Sequence, residues 1–122
     1  MTLHFFNSLS RRLEPFQTLK PNEVGMYTCG PTVYNFAHIG NFRAYLFEDF
    51  LRRVLEFAGY HVTQVMNLTD VDDKTIRGSR AAGLPLKVYT KPYIDAFFAD
   101  LKTLNPQQSI RQLPIILPKC RL

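Results

Sequence analysis

The stretch from Tyr27 to Arg43 constrains this chain more than any other: Tyr-Thr-Cys-Gly-Pro-Thr-Val-Tyr-Asn-Phe-Ala-His-Ile-Gly-Asn-Phe-Arg. The residues leading into it, Glu23-Val24-Gly25-Met26, continue through Tyr27-Thr28-Cys29 as a short buried strand. Gly30-Pro31 breaks that strand. After Asn41 the pattern becomes a helix lasting to about Ala58. The order is therefore strand, loop, helix, with Cys29, Gly30, Thr32, His38, Gly40 and Asn41 at or near the turn. Ligands of parallel α/β sheets bind at the carboxyl ends of the strands. The start of a helix adds unpaired N–H groups and a positive dipole end, which suit phosphate. A nucleotide-type ligand is the expectation.

The helix after Asn41 has apolar residues Phe42, Leu46, Phe47, Phe50, Leu51, Val54 and Phe57 at helical spacing, which predicts one apolar stripe facing a core. Glu48 with Arg52 and Asp49 with Arg53 form acid-first pairs four residues apart, expected on the opposite side. Gly59 stands where a C-terminal cap belongs. His61 to Asn67 then reads as a second strand, which completes a right-handed βαβ unit. Ahead of it, Leu3 to Leu19 reads as a hairpin or edge ribbon, with Pro15 confining its strand to an edge. Further on, a helix is expected from Lys74 to Ala82, ended by Gly83-Leu84-Pro85. Another is expected from Val88 to Leu104, with Pro92 in or near its first turn. Residues 1–104 thus read as the first portion of an α/β, Rossmann-like parallel-sheet domain, incomplete as it stands. Residues 105–122, with Pro106, Pro114 and Pro118 and no clear period, read as an irregular tail.

Charge narrows the partners less than its total suggests. The net charge is +5, from 15 basic and 10 acidic residues. Without Arg111, Lys119 and Arg121 the balance is 12 against 10, so much of the excess belongs to the tail and is a poor nucleic-acid signal. No apolar run is long enough to span a membrane, and no basic-then-apolar leader pattern is present. Cys29 and Cys120 make no disulfide framework, which fits a reducing cytoplasm.

Three places carry chemistry, each with two readings. His38 at a helix opening can donate to phosphate oxygens, with Gly40 allowing close approach and Asn41 returning to the same side. Alternatively His38 is a partly buried loop residue and Asn41 an N-cap. Cys29 is either a metal ligand or nucleophile, or a small buried residue. Asp70, Asp72 and Asp73, just past the second strand, either hold magnesium or form a solvated turn in which Asp72 or Asp73 caps the next helix. Neither of the glycine-rich phosphate or dinucleotide fingerprints occurs.

Taken together, Cys29-Gly-Pro-Thr-Val-Tyr, the His38-Ile-Gly-Asn41 run and Asn67-Leu-Thr-Asp-Val-Asp-Asp-Lys74 closely resemble the N-terminal part of the cysteinyl-tRNA synthetase family of class I synthetases, over roughly Leu3 to Leu104. A related ATP-dependent ligase that joins cysteine to an amino sugar in mycothiol synthesis shares much of this pattern. The resemblance implies a cysteine–tRNA ligase that uses ATP with Mg2+ to make cysteinyl-adenylate and transfers the acyl group to tRNA-Cys. It also implies a cytoplasmic enzyme, monomeric at full length. Cys29 matches the family's zinc-binding cysteine, and Gly30, Thr32 and Thr69 match positions lining the cysteine pocket. The run from His38 to Asn41 matches the ATP-binding signature that steadies the α-phosphate, with Thr32 beside it. Asn41 stands where the generic signature has a second His. The other Zn2+ ligands, the Lys-Met-Ser-Lys-Ser loop and the anticodon-binding domain have no counterpart in these residues. From Pro106 the text departs from the family. The expectation is a truncated piece inactive by itself, the alternative being a non-catalytic nucleotide-binding remnant.

Overall fold

The computed structural model describes residues 3–104 and the backbone of 111–114. A hairpin of β1 (His4–Asn7) and β2 (Arg12–Pro15) comes first, antiparallel with His4 opposite Pro15. The Phe16 ring beyond it meets Phe5 and Tyr60 edge-on, at 5.1 and 5.6 Å, which ties the hairpin to the segment entering the second parallel strand. The main unit runs β3 (Glu23–Thr28), α1 (Ile39–Phe57), β4 (His61–Leu68), α2 (Asp73–Ala82), α3 (Leu86–Thr103) and β5 (Arg111–Pro114). The three strands are parallel in the order β3-β4-β5, with Thr28 opposite Met66 and Met66 opposite Gln112. Among the described residues no helix is long and apolar enough to cross a membrane.

Both connections step the same way across the sheet, and right-handed crossovers then bring their helices to one face. On that face Met66 and Leu68 of β4 meet Phe42 and Tyr45 of α1, Phe97 and Leu101 of α3, and Val33 of the loop. Phe97 stacks on Phe42 at 6.2 Å and meets Tyr45 edge-on at 5.3 Å. The opposite face presents Gly25, Tyr27, His61 and Thr63 to solvent.

The structure corrects the expectation for α1. Its buried residues are Phe42, Tyr45, Asp49, Arg52 and Leu55, whereas Leu46, Phe47, Phe50 and Phe57 are exposed and Leu51 and Val54 half-buried. The charged side turns inward because its charges satisfy one another. Arg52 bridges Asp49 and Glu56 at 2.7 Å each, and Arg53 reaches Asp49 at 2.7 Å. Arg52 thus pairs with Asp49 and Glu56 in place of the expected Glu48. The sheet nearby is itself polar, since buried Gln64 donates to the Thr28 hydroxyl at 3.2 Å.

Two further expectations change. Pro92 lies inside α3, beyond the first turn, where its ring removes one helical hydrogen bond. The tail read as irregular contains β5, which extends the sheet alongside Val65 to Leu68. A lone four-residue strand has no period of its own, and its pairing is decided by the open edge of β4. The remainder of 105–122 lies outside the described residues.

Candidate functional site

The loop between β3 and α1 folds back onto the end of β4. Val33 N–H donates to Thr69 O and Thr69 N–H to Pro31 O, both at 3.0 Å, so Thr32 and Thr69 pair as a short parallel bridge. Asn67 locks the same corner: its Oδ1 accepts from Gly30 N–H at 3.1 Å and its Nδ2 donates to Thr69 Oγ1 at 3.1 Å. A β carbon at residue 30 would overlap the Asn67 carbonyl oxygen, so this closure requires glycine. Thr32 and Thr69 are therefore brought together by backbone pairing, and Gly30 joins them through the Asn67 side chain.

The helix opening resolves the two readings of the signature run. The N-cap is His38, and the helix begins at Ile39, earlier than expected. His38 Nδ1 accepts from Gly40 N–H at 3.1 Å, and Asn41 Oδ1 accepts from His38 N–H at 2.8 Å. This reciprocal capping box has a chemical consequence. A ring nitrogen that accepts carries no proton, so the neutral imidazole bears its proton on Nε2. Asn41 likewise spends its carbonyl oxygen on the cap and keeps its amide group as a donor. Capping and ligand donation are compatible uses of the same two exposed side chains.

Both residues line a cavity of about 440 Å³ together with Gly30, Thr32, Tyr34, Tyr45 and Lys74, with Pro31 and Asn35 to Ala37 between them. Burial, with smaller contributions from Glu48 and Cys29, pushes the Tyr45 phenol up to about 12, so it stays protonated. No carboxylate is among the described lining residues. Of the expected site residues, Gly30, Thr32, His38 and Asn41 reach this cavity. Cys29, Gly40 and Thr69 are not among its lining residues; Gly40 bonds to His38 and Thr69 pairs with Thr32. Lys74, Tyr34 and Tyr45 were not expected in it. For Lys74 the signal was its place at the end of the acidic turn, which comes to the cavity only when α2 packs.

The acidic turn behaves as a cap. Asp72 Oδ1 accepts from Lys74 N–H at 2.9 Å, and Asp72 N–H donates to Thr75 Oγ1 at 2.8 Å. Cys29 is exposed, with its thiol 3.7 Å from Gly30 O. Among the described residues no three His, Cys, Asp or Glu side chains gather closely enough to hold a metal ion. A structural zinc site needs about four ligands, and the described residues do not fit one around Cys29.

The family model for the class I (C) tRNA synthetase catalytic domain matches residues 15–116, a range that runs past Leu104 and takes in β5. The chain is 60% identical over 107 residues to a cysteine–tRNA ligase of Protochlamydia amoebophila, covering 88% of this chain and 22% of that protein. It is 65% identical over 101 residues to one of Brachyspira hyodysenteriae, covering 83% and 21%. A Chlamydia muridarum cysteine–tRNA ligase is 60% identical over 106 residues, covering 86% and 22%. The chain spans about a fifth of the length of these curated relatives. By the extent of the family match, it belongs to the class I (C) tRNA synthetase catalytic-domain family.

Proposed function

We propose that this chain is a portion of the catalytic domain of a cysteine–tRNA ligase and that its cavity takes ATP for the activation of L-cysteine. The observation that carries the reading is that His38 and Asn41, whose capping bonds use Nδ1 and Oδ1 and spare Nε2–H and Nδ2–H, line a cavity with no carboxylate among its described lining residues. In the first step a cysteine carboxylate oxygen attacks the α-phosphorus. The bond to the bridging oxygen breaks, pyrophosphate leaves, and cysteinyl-adenylate forms. Negative charge grows on the α-phosphate oxygens during attack, and donors fixed in advance lower that barrier without reorganising. The capping box supplies that fixation. Transfer of the acyl group to the terminal ribose of tRNA-Cys would follow in the intact enzyme.

In this reading Gly30, Thr32 and Thr69 shape the amino-acid side of the site, Thr32 borders the nucleotide, and Gly40 acts on the nucleotide through the His38 ring that its N–H holds. Mg2+ accompanies ATP. Cys29 remains a candidate Zn2+ ligand whose partners come from outside the described residues, and no step is assigned to zinc. The intact enzyme is read as a cytoplasmic monomer. The names of the relatives support the tRNA ligase over a cysteine–amino-sugar ligase.

The test separates binding from turnover. Calorimetric titration of the 122-residue chain with ATP is expected to show binding that His38→Ala weakens about tenfold, the loss of one hydrogen bond to a charged group. Cysteine-dependent exchange of pyrophosphate into ATP, with zinc and magnesium supplied, is expected to be absent. Exchange above the His38→Ala background would overturn the expectation of an inactive piece. A folded chain with no affinity for ATP would overturn the nucleotide reading.

A further inference from the structure

We infer that Lys74 is a phosphate-binding residue of this site, whose ammonium takes the phosphates of the nucleotide beyond the α-phosphate. The inference rests on the reading of the cavity as a nucleotide site and adds its only full positive charge among the described lining residues. His38 and Asn41 offer neutral donors, whereas a nucleoside triphosphate brings several negative charges that neutral donors alone hold weakly. Lys74 lines the same cavity.

Three observations say that the ammonium is placed there. It lies 4.9 Å from the centroid of the Tyr34 ring, a cation–π distance. No carboxylate among the described residues pairs with it, although Asp70, Asp72 and Asp73 precede it closely; Asp72 is occupied with the cap. It is the second residue of α2, where the helix dipole disfavours a cation and favours an anion. A bound polyphosphate would turn that unfavourable position into a favourable one.

The main chain that carries the Tyr34 ring is itself held. Tyr89 of α3 donates its hydroxyl to Tyr34 O at 2.9 Å. Tyr89 reaches that carbonyl across α2 at Gly78, where a β carbon would overlap the phenol. Gly78, Tyr89 and Tyr34 thus link α2 and α3 to the cavity wall, and the Lys74 cation is presented from a supported platform.

An anionic oxygen in this cavity has two sources, the polyphosphate and the carboxylate of cysteine, and the experiment distinguishes them. Calorimetry on the 122-residue chain would compare ATP, inorganic pyrophosphate, AMP and L-cysteine as ligands of wild type, Lys74→Met, Lys74→Arg and His38→Ala. Thermal melts followed by circular dichroism would check folding. Lys74→Met is expected to weaken ATP and pyrophosphate about tenfold and AMP less than about twofold, with Lys74→Arg close to wild type. His38→Ala is expected to weaken AMP and ATP alike. If Lys74→Met leaves ATP unchanged while His38→Ala weakens it, the role of Lys74 falls and the nucleotide site stands. If it weakens cysteine in place of the nucleotide, the charge belongs to the carboxylate and this assignment is wrong. If folded wild type binds neither ATP nor pyrophosphate, both readings fall together. Should Lys74→Met fail to fold, Lys74→Gln and the salt dependence of wild-type ATP binding against that of AMP give the same discrimination, a steeper slope for ATP being expected and equal slopes overturning the role.

Discussion

At Gly30 and Asn67 the site depends on contacts that leave no room for alternatives. Any side chain at residue 30 meets the Asn67 carbonyl oxygen, a backbone atom that cannot swing aside. Gly30→Ala is therefore expected to destabilise the chain by more than about 2 kcal/mol, read as a lower urea midpoint. Asn67→Ala leaves Gly30 N–H without its acceptor and Thr69 Oγ1 without its donor, at a cost of about 1–3 kcal/mol. If the closure also shapes the cavity, both variants lower ATP affinity even where they remain folded. Residue identities pointed to His38 and Asn41, and the family resemblance to Gly30, Thr32 and Thr69. They did not show that His38 is the cap, nor that capping consumes Nδ1 and Oδ1 while sparing the opposite donors. That depends on where the helix begins, and helix ends are decided by local geometry that a spacing pattern leaves open by a residue or two.

Along α1, two neighbouring carboxylates respond to the sheet in opposite ways. Burial alone would push the Asp49 carboxyl up, but hydrogen bonds from Arg52 and Arg53 and their charges outweigh it and hold it below its ordinary 3.8. The stability this lends is present above pH 3.8 and is lost as the pH falls through the lowered folded value. Asp49→Asn leaves the buried Arg52 with a weaker partner and is expected to cost about 3 kcal/mol at pH 7. In urea titrations across pH, that difference should close as the pH falls below about 4. Glu48 behaves the other way: burial raises it above 4.5, a bond with Thr28 offsets this only in part, and its Oε2 is buried without a partner. Folding then favours the protonated form, so the fold weakens as pH rises above 4.5 through the folded value. Glu48→Gln should be more stable than wild type at pH 7 and equal to it below pH 4.5, by the same titrations. An equal or lower midpoint at pH 7 would show that Glu48 is held as a carboxylate.

Among the described residues α1 and α3 pack on one face of the parallel sheet, and the apolar stripe of α1 faces outward. Leu46, Phe47, Phe50 and Phe57 are 45, 66, 63 and 87% exposed, a row too apolar to be indifferent to water. The chain alone is expected to self-associate through this row. Phe47→Glu with Phe50→Lys should lower concentration-dependent light scattering while leaving the melting temperature close to wild type, because neither ring contributes to the core.

The sequence by itself determined the order of elements as far as α3, the break at Gly30-Pro31 and the family, because each depends on residues close together in the chain. Period and turn chemistry report local conformation directly. Only the tertiary structure decided which side of α1 is buried, that Arg111–Pro114 pairs with β4, and that Lys74 enters the cavity of His38 and Asn41. The apolar residues of α1 suggested one face, yet the paired charges of Asp49, Arg52 and Arg53 met a polar stretch of sheet and turned the helix the other way. Such outcomes follow from contacts between residues far apart in sequence, where mutual satisfaction of charge and shape outweighs what any single segment prefers.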